Sequence, residues 1–284
     1  MSAKVAFLGL GVMGFPMAGH LSAGGYDVTV YNRTAAKAEA WVQEHGGEAA
    51  ATPGEAARGA DFVAMCVGND RDLVAVASDA LEGMKHGAVL IDHTTASADA
   101  ARTLFALAKD RGVDFIDAPV SGGQAGAENG KLTIMCGGDA TAFERAKPVM
   151  ACYGKAVTWM GAAGAGQLTK MVNQICVAGV VQALSEGIAF AEKAGLDPAL
   201  VLDVISKGAA QSWQMENRGP TMVARQFDFG FAVDWMRKDL GICLEEARRN
   251  GARLPVTALI DQFYGDVQKA GGSRWDTSSL ITRL

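Results

Sequence analysis

Lys4-Val-Ala-Phe-Leu-Gly-Leu-Gly-Val-Met-Gly14 is the stretch whose reading decides the fold. The apolar run Lys4 to Leu8 leads straight into G-x-G-x-x-G at Gly9, Gly11 and Gly14, and a helical pattern through Met17 and Leu21 follows at once. Strand, tight turn and helix is the setting in which these glycines have separate uses. One makes the turn, one lets a pyrophosphate approach the backbone, and one lets the helix pack close on the strand. The unpaired N–H groups that open the helix then suit a phosphate. In a chain with 35 glycines the pattern alone would be weak. Its context on both sides makes Gly9, Leu10, Gly11, Val12, Met13 and Gly14 candidate dinucleotide-binding residues.

Outward from there, Asp27-Val-Thr-Val-Tyr31 reads as a second strand, and its end is where a dinucleotide fold meets the adenine ribose. An NAD site usually places Asp or Glu there, whereas NADP needs cations and donors for its 2′-phosphate. This chain has Asn32-Arg33-Thr34. A guanidinium without a carboxylate favours NADP (NADPH), the alternative being that Arg33 is an ordinary exposed loop charge.

Strands and helices then alternate. A helix is expected near Ala35 to His45, a strand at Asp61 to Val67, a helix after Asp70, a strand at Ala88 to Ile91 and a helix from Ser97 to Arg111. Further strands are expected at Val113 to Ile116, Leu132 to Cys136 and Val157 to Trp159. Such alternation implies an α/β domain built on a mainly parallel, helix-covered sheet. Beyond Gly161-Ala-Ala-Gly-Ala-Gly166 the pattern is almost wholly helical, with Asp197-Pro198 and Pro255 at good first-turn positions and Gly195, Gly208 and Gly251 near helix ends. The expected division is therefore 1–163 for dinucleotide binding and 164–284 for an all-helical substrate and oligomerisation domain.

In an open parallel sheet, ligands lie outside the carboxyl ends of the strands. Val67, Thr95 in Asp92-His-Thr-Thr95, and the run Asp117-Ala-Pro-Val-Ser-Gly-Gly123 all stand there. Ser121 offers a hydroxyl, and Gly122 and Gly123 leave backbone N–H groups uncovered, so this run is either a carboxylate cradle or a polar turn. His93 could act as a base, but no carboxylate orients it in the sequence.

The helix expected from about Leu168 to Lys193 carries an apolar face at i, i+3, i+4 spacing. Near its start Lys170, Asn173 and Gln174 share another face within about one turn. The spacing leaves two readings open, a solvated helix turn or a compact polar site. Lys238-Asp239, in a helix from about Ala232 to Asn250, is likewise a solvated pair or an extra cation near an acidic substrate.

Composition narrows the classes. With 49% hydrophobic and 20% charged residues the chain is that of a folded domain, and a net charge of −5 without basic runs argues against nucleic-acid or anionic-membrane partners. Five dispersed cysteines with no CxxC pair suggest neither a disulfide framework nor a metal site, and they read as reduced and mostly packed. Met1 leads directly into a strand with no leader pattern, and the run Ile175 to Val181 is short for a bilayer, so a cytoplasmic location is expected.

Together the motifs resemble the β-hydroxyacid dehydrogenase family, which includes 3-hydroxyisobutyrate dehydrogenase and tartronate, glyoxylate and succinic semialdehyde reductases. Gly9 to Gly14 with Pro16-Met17, Asp117 to Gly123, Gly164-Ala-Gly-Gln-Leu-Thr-Lys170 and Lys238-Asp-Leu240 carry the resemblance in order across the chain. It implies that Lys170 is the catalytic lysine and that Ser121, Gly122 and Gly123 hold the substrate carboxylate. It also implies that Thr95 and Lys238 line the nicotinamide end, and that Asn173, and in some members its neighbour at Gln174, contacts substrate. A Rossmann-type domain joined by a long central helix to an all-helical domain is implied as well, in homodimers or homotetramers. The expected activity is NADPH-dependent reduction of a small aldehyde acid, with no metal. The alternatives are an oxidative 3-hydroxyacid dehydrogenase, an imine reductase, which usually lacks the lysine, and a non-enzymatic cofactor-binding module. Reduction of this kind needs a hydride from the nicotinamide and a proton for the emerging alkoxide, which a lysine ammonium can deliver.

Overall fold

The computed structural model describes residues 2–284, in two compact units that divide between Lys170 and Met171. The first unit holds nine strands: β1 (Lys4–Leu8), β2 (Asp27–Tyr31), β3 (Glu48–Ala49), β4 (Phe62–Met65), β5 (Val89–Asp92), β6 (Asp114–Asp117), β7 (Val120–Ser121), β8 (Leu132–Gly138) and β9 (Gly154–Gly161). Its helices are α1 (Gly14–Ala23), α2 (Ala35–His45), α3 (Pro53–Ala57), α4 (Asp70–Gly83), α5 (Ala98–Asp110), α6 (Gly123–Glu128) and α7 (Ala140–Met150). The long helix α8 (Ala165–Lys193) follows. The second unit adds α9 (Pro198–Ile205), α10 (Trp213–Val223), α11 (Val233–Asn250), α12 (Pro255–Lys269) and a closing 3-10 turn at Thr277–Arg283.

The sheet runs in the order β3-β2-β1-β4-β5-β6-β8-β7, with β9 on β8, and the strands from β3 to β6 are all parallel. At the far edge β8 runs against β6 and β7, and β9 runs parallel to β8. The expected α/β dinucleotide-binding architecture is thus present, with an antiparallel extension at one edge. β1 shows why both faces are covered. Val5 and Phe7 enter one apolar core and Ala6 and Leu8 the other, the period of two that pleating imposes.

Short elements escape sequence periodicity. β3, β7, α3 and α6 have two to six residues each, too few to show a period. The strand β9 is longer than its apolar centre, spanning Gly154–Gly161. In the helical unit, Pro198 and Pro255 do stand in first turns, and Gly251 ends α11 in the left-handed conformation. Ala178 and Val181 of α8 pack there with Val233, Met236 and Leu240 of α11 and with Ile260, Tyr264 and Val267 of α12. Helix α8 is longer than the run Ile175 to Val181 suggests. It would suffice to cross a membrane by length and composition, yet half of its most apolar window is buried.

Helix α8 also begins a turn earlier than its apolar rhythm, at Ala165, because a carboxylate from another element caps it. Gly164 N–H donates to Asp117 Oδ1 at 2.8 Å and Gln167 N–H to Asp117 Oδ2 at 2.9 Å. These are orphan donors of the helix start, satisfied by a residue 47 to 50 positions upstream, at the end of β6. The glycines between β9 and α8 are not a loose linker. Gly164 has φ +91°, and a Cβ at Gly166 would collide with the Asp117 and Met135 carbonyls.

Candidate active site

The three glycines of the turn from Gly9 to Gly14 have different surroundings. Gly9 has φ +100° and lies against the Cys66 carbonyl, while a Cβ on Gly14 would strike Gly9 O and Phe7. Gly11 differs, with nothing within 4 Å of where its Cβ would stand, and Gly11 and Val12 are exposed. That uncovered backbone opens α1, a helix with no side-chain cap and no acidic residue in its first turn. A dinucleotide pyrophosphate fits such a cradle.

Asn32 fixes the turn against the neighbouring strand end. Its Oδ1 accepts from Leu10 N–H at 2.9 Å and its amide donates to Thr34 O at 3.0 Å, so Asn32 orders the loop that carries Arg33. The Arg33 side chain is 87% exposed, with Asp72 3.9 Å away. An exposed pair at that distance is weak, so Asp72 does not fix the guanidinium.

At the next strand ends, Val67 and Thr95 are half-buried. Thr94 Oγ1 accepts from Val67 N–H at 3.0 Å, tying the two segments together. Ser121 closes β7, and Gly122 and Gly123 follow it, exposed, at φ +133° and +61°. A Cβ at Gly123 would meet nothing within 4 Å, while one at Gly122 would press on Leu132. The antiparallel pairing of β7 with β8 is what holds this turn, and two residues of strand gave no sequence signal.

Two buried aspartates stand behind these ends. Asp117 caps α8 as described, and burial pushes its carboxyl up to about 6 against the pull of the N–H groups it accepts. Asp92, in register with it on β5, is pushed up to about 7, mainly by burial, and only its Oδ1 is bonded, to Thr94 N–H at 2.9 Å. His93 is no free base. Nδ1 pairs with Ala118 O at 2.7 Å and Nε2 with the Tyr153 hydroxyl at 2.8 Å, and burial lowers its pKa to about 4.

Lys170 stands in the second turn of α8 and is only 8% exposed. A solvated helix turn is therefore the reading that its burial removes. One turn on, in the helical unit, half-buried Asn173 donates to Gln174 Oε1 at 2.8 Å, and buried Gln174 donates to Asp239 Oδ2 at 2.7 Å. The Gln174 amide is thus committed to its neighbours and orients Asn173. Lys238 pairs with Asp239 Oδ1 at 3.1 Å, the aspartate being 2% exposed, so this too is not a solvated surface pair. Cys136 and Cys243 are buried as expected, but Cys176 is exposed on α8.

Gln167 and the two aspartates are the polar groups that motif reading passed over. Asp117 and Gln167 lie inside the quoted motifs, but nothing in their spacing shows that a strand end would cap a helix 50 positions away.

Residues 4–161 match the family described as the NAD binding domain of 6-phosphogluconate dehydrogenase. Residues 164–284 match the one described as the NAD-binding of NADP-dependent 3-hydroxyisobutyrate dehydrogenase. An oxidoreductase of Shewanella frigidimarina is 64% identical over 99% of this chain and 98% of its own. The 2-hydroxy-3-oxopropionate reductase of Escherichia coli is 34% identical over 99% and 97%. Among solved structures, the 3-hydroxyisobutyrate dehydrogenase of Mycobacterium tuberculosis with L-serine superposes at a TM-score of 0.90, with 32% identity, covering 100% of this chain and 99% of that one.

Proposed function

As the chain belongs to the β-hydroxyacid dehydrogenase family, it is a nicotinamide-dependent oxidoreductase of CH–OH groups, and we propose that it reduces small aldehyde acids with NADPH. The observation that carries this reading is Lys170, a buried ammonium on a helix anchored to the ends of the sheet strands, where ligands of such folds bind.

When bound, the nicotinamide supplies or accepts the hydride. The protein's own work is to orient, to hold charge and to move a proton. Gly11 and the uncapped start of α1 would receive the pyrophosphate, and Arg33 would meet a 2′-phosphate. Ser121 with the N–H groups of Gly122 and Gly123 would hold a carboxylate, which fixes where the neighbouring carbonyl stands. The Lys170 Nζ would hydrogen-bond that carbonyl oxygen, stabilise negative charge as it develops and give up a proton to it. Asn173, whose amide is held by Gln174, is the next polar side chain on the same helix, one turn beyond Lys170, and is a candidate substrate contact. Arg33 supports the phosphorylated cofactor pair, NADP+ and NADPH, over NAD+ and NADH, and reduction is the working direction proposed with that pair.

The test is a panel of short aldehyde acids and 3-hydroxyacids with NADPH, NADH and their oxidised forms. The expected result is the highest kcat/KM with NADPH and a carboxylate-bearing aldehyde. Tight cofactor binding with no turnover of any member overturns the reading.

A further inference from the structure

Gln167 stands in the first turn of α8 and is fully buried. Its backbone N–H donates to Asp117 Oδ2, at the end of β6. Its side chain reaches the segment after β5, where Nε2 donates to Thr94 O at 2.7 Å and Oε1 accepts from Ala96 N–H at 3.0 Å. The two contacts bracket Thr95. Thr94 in turn takes the N–H of Val67, so one hydrogen-bonded chain runs from the end of β4 through the β5 segment to α8. Lys170 lies three residues beyond Gln167, one turn along the helix.

This arrangement demands an amide. Both backbone groups are buried, one offering a proton and the other a lone pair, and each would cost free energy if left alone. Asn is one methylene short, Glu as carboxylate cannot donate, and an apolar side chain satisfies neither group.

We propose that Gln167 is a positioning residue of the reaction, which sets the turn of α8 bearing Lys170 in register with the Thr95 segment. The inference rests on the reading of Lys170 as the proton donor. A shift of about 1 Å between groups that must act together can lower turnover a hundredfold even when its source lies away from the reacting atoms, whereas a purely structural contact changes stability and leaves kcat per folded enzyme unchanged.

Two variants test it, with all rates expressed per enzyme that binds NADPH in a fluorescence titration. Gln167→Met keeps the length and removes both hydrogen bonds. It should lower kcat about tenfold or more with KM changed far less, and the isotope effect with NADPH deuterated at the transferred position should rise as hydride transfer becomes limiting. Gln167→Glu is the more searching probe, because a protonated carboxylic acid both accepts and donates as the amide does. Its ionisable neighbours are Asp92 and Asp117, whose charges together with burial favour the protonated form, and Lys170 one turn along α8, whose charge opposes it; full burial at the Gln167 position makes the protonated form prevail as the pH falls. Its kcat relative to wild type should therefore recover between about pH 8 and pH 5.5, while that of Gln167→Met stays low. A Gln167→Met enzyme within about twofold of wild type, or a Gln167→Glu deficit that is equal at both pH values, overturns the proposal. If the wild type itself turns over no aldehyde acid, that reading has failed separately. The register is then read from the rate at which a small acylating reagent labels Lys170, and an unchanged rate in Gln167→Met overturns the proposal.

Discussion

Asp92 and Asp117 end neighbouring parallel strands in direct register, both fully buried, yet Asp117 accepts N–H groups on both oxygens whereas Asp92 Oδ2 meets no hydrogen-bond donor among the described residues. The difference has a pH signature. Burial lifts Asp92 from an ordinary 3.8 to about 7 and Asp117 to about 6, so the folded chain holds protons that the unfolded chain releases. Their favourable contribution is complete below about pH 4 and is lost as the pH rises through about 6 to 7. His93 acts in the opposite sense. Its folded pKa of about 4 makes the native state refuse a proton that the unfolded state takes below 6.5.

Asp92→Asn isolates the first effect, because the amide keeps the acceptor for Thr94 N–H and removes the titration. The difference in melting temperature between variant and wild type should be smallest below about pH 4, grow as the pH rises, and favour the variant most above about pH 7. Melting curves across this range check it. A difference that does not vary with pH would show that Asp92 does not carry the buried proton.

Gly11 and Gly14 should separate binding from folding. A Cβ at Gly11 meets nothing, so Gly11→Ala should leave the melting temperature nearly unchanged while weakening dinucleotide binding about tenfold by standing where the pyrophosphate approaches. A Cβ at Gly14 strikes the Gly9 carbonyl and the Phe7 ring, so Gly14→Ala should lower stability by roughly 1–3 kcal/mol, the usual cost of overpacking. Calorimetric titration beside thermal unfolding reads both. Equal binding by Gly11→Ala and wild type would place the cofactor elsewhere.

Arg33 is the test of cofactor choice. Its side chain is exposed and paired only distantly with Asp72, so removing it should hardly touch stability. Arg33→Ala should weaken NADPH by about 1–3 kcal/mol, as loss of a charge-assisted contact does, and leave NADH nearly unaffected. Equal losses for both cofactors would rule out Arg33 as the discriminator.

What the sequence shows and what it hides divide along physical lines. The glycine turn, the alternation of strands and helices, and the first-turn prolines are local patterns, and each is where periodicity or backbone chemistry places it. The Asp117 cap on α8, the Gln167 bridge to Thr94 and Ala96 and the Gln174 bond to Asp239 join residues 47 to 73 positions apart. Such pairs are made by the sheet order and by helix packing, which no window of sequence contains. Lys170 shows both sides. Its motif pointed to it, but only its burial separates a held ammonium from one on a solvated turn.

That burial makes Lys170 the residue whose replacement should be most telling. A side chain 8% exposed on a helix capped by Asp117 has few conformations open to it, so the ammonium is held in place before substrate arrives. Lys170→Ala should cut kcat by a factor of roughly 100 or more, the scale of general acid catalysis, with unfolding temperature and NADPH affinity close to wild type. Lys170→Arg should not restore the rate, because a guanidinium remains charged and yields its proton poorly at neutral pH. An added small primary amine should restore part of the Lys170→Ala rate by occupying the space and supplying the missing acid, with little effect on Lys170→Arg, where that space is filled. Near-normal turnover by either variant would remove Lys170 from the chemistry. It would leave Lys238, paired with buried Asp239, as the cation to examine, since both nitrogens of His93 are already engaged.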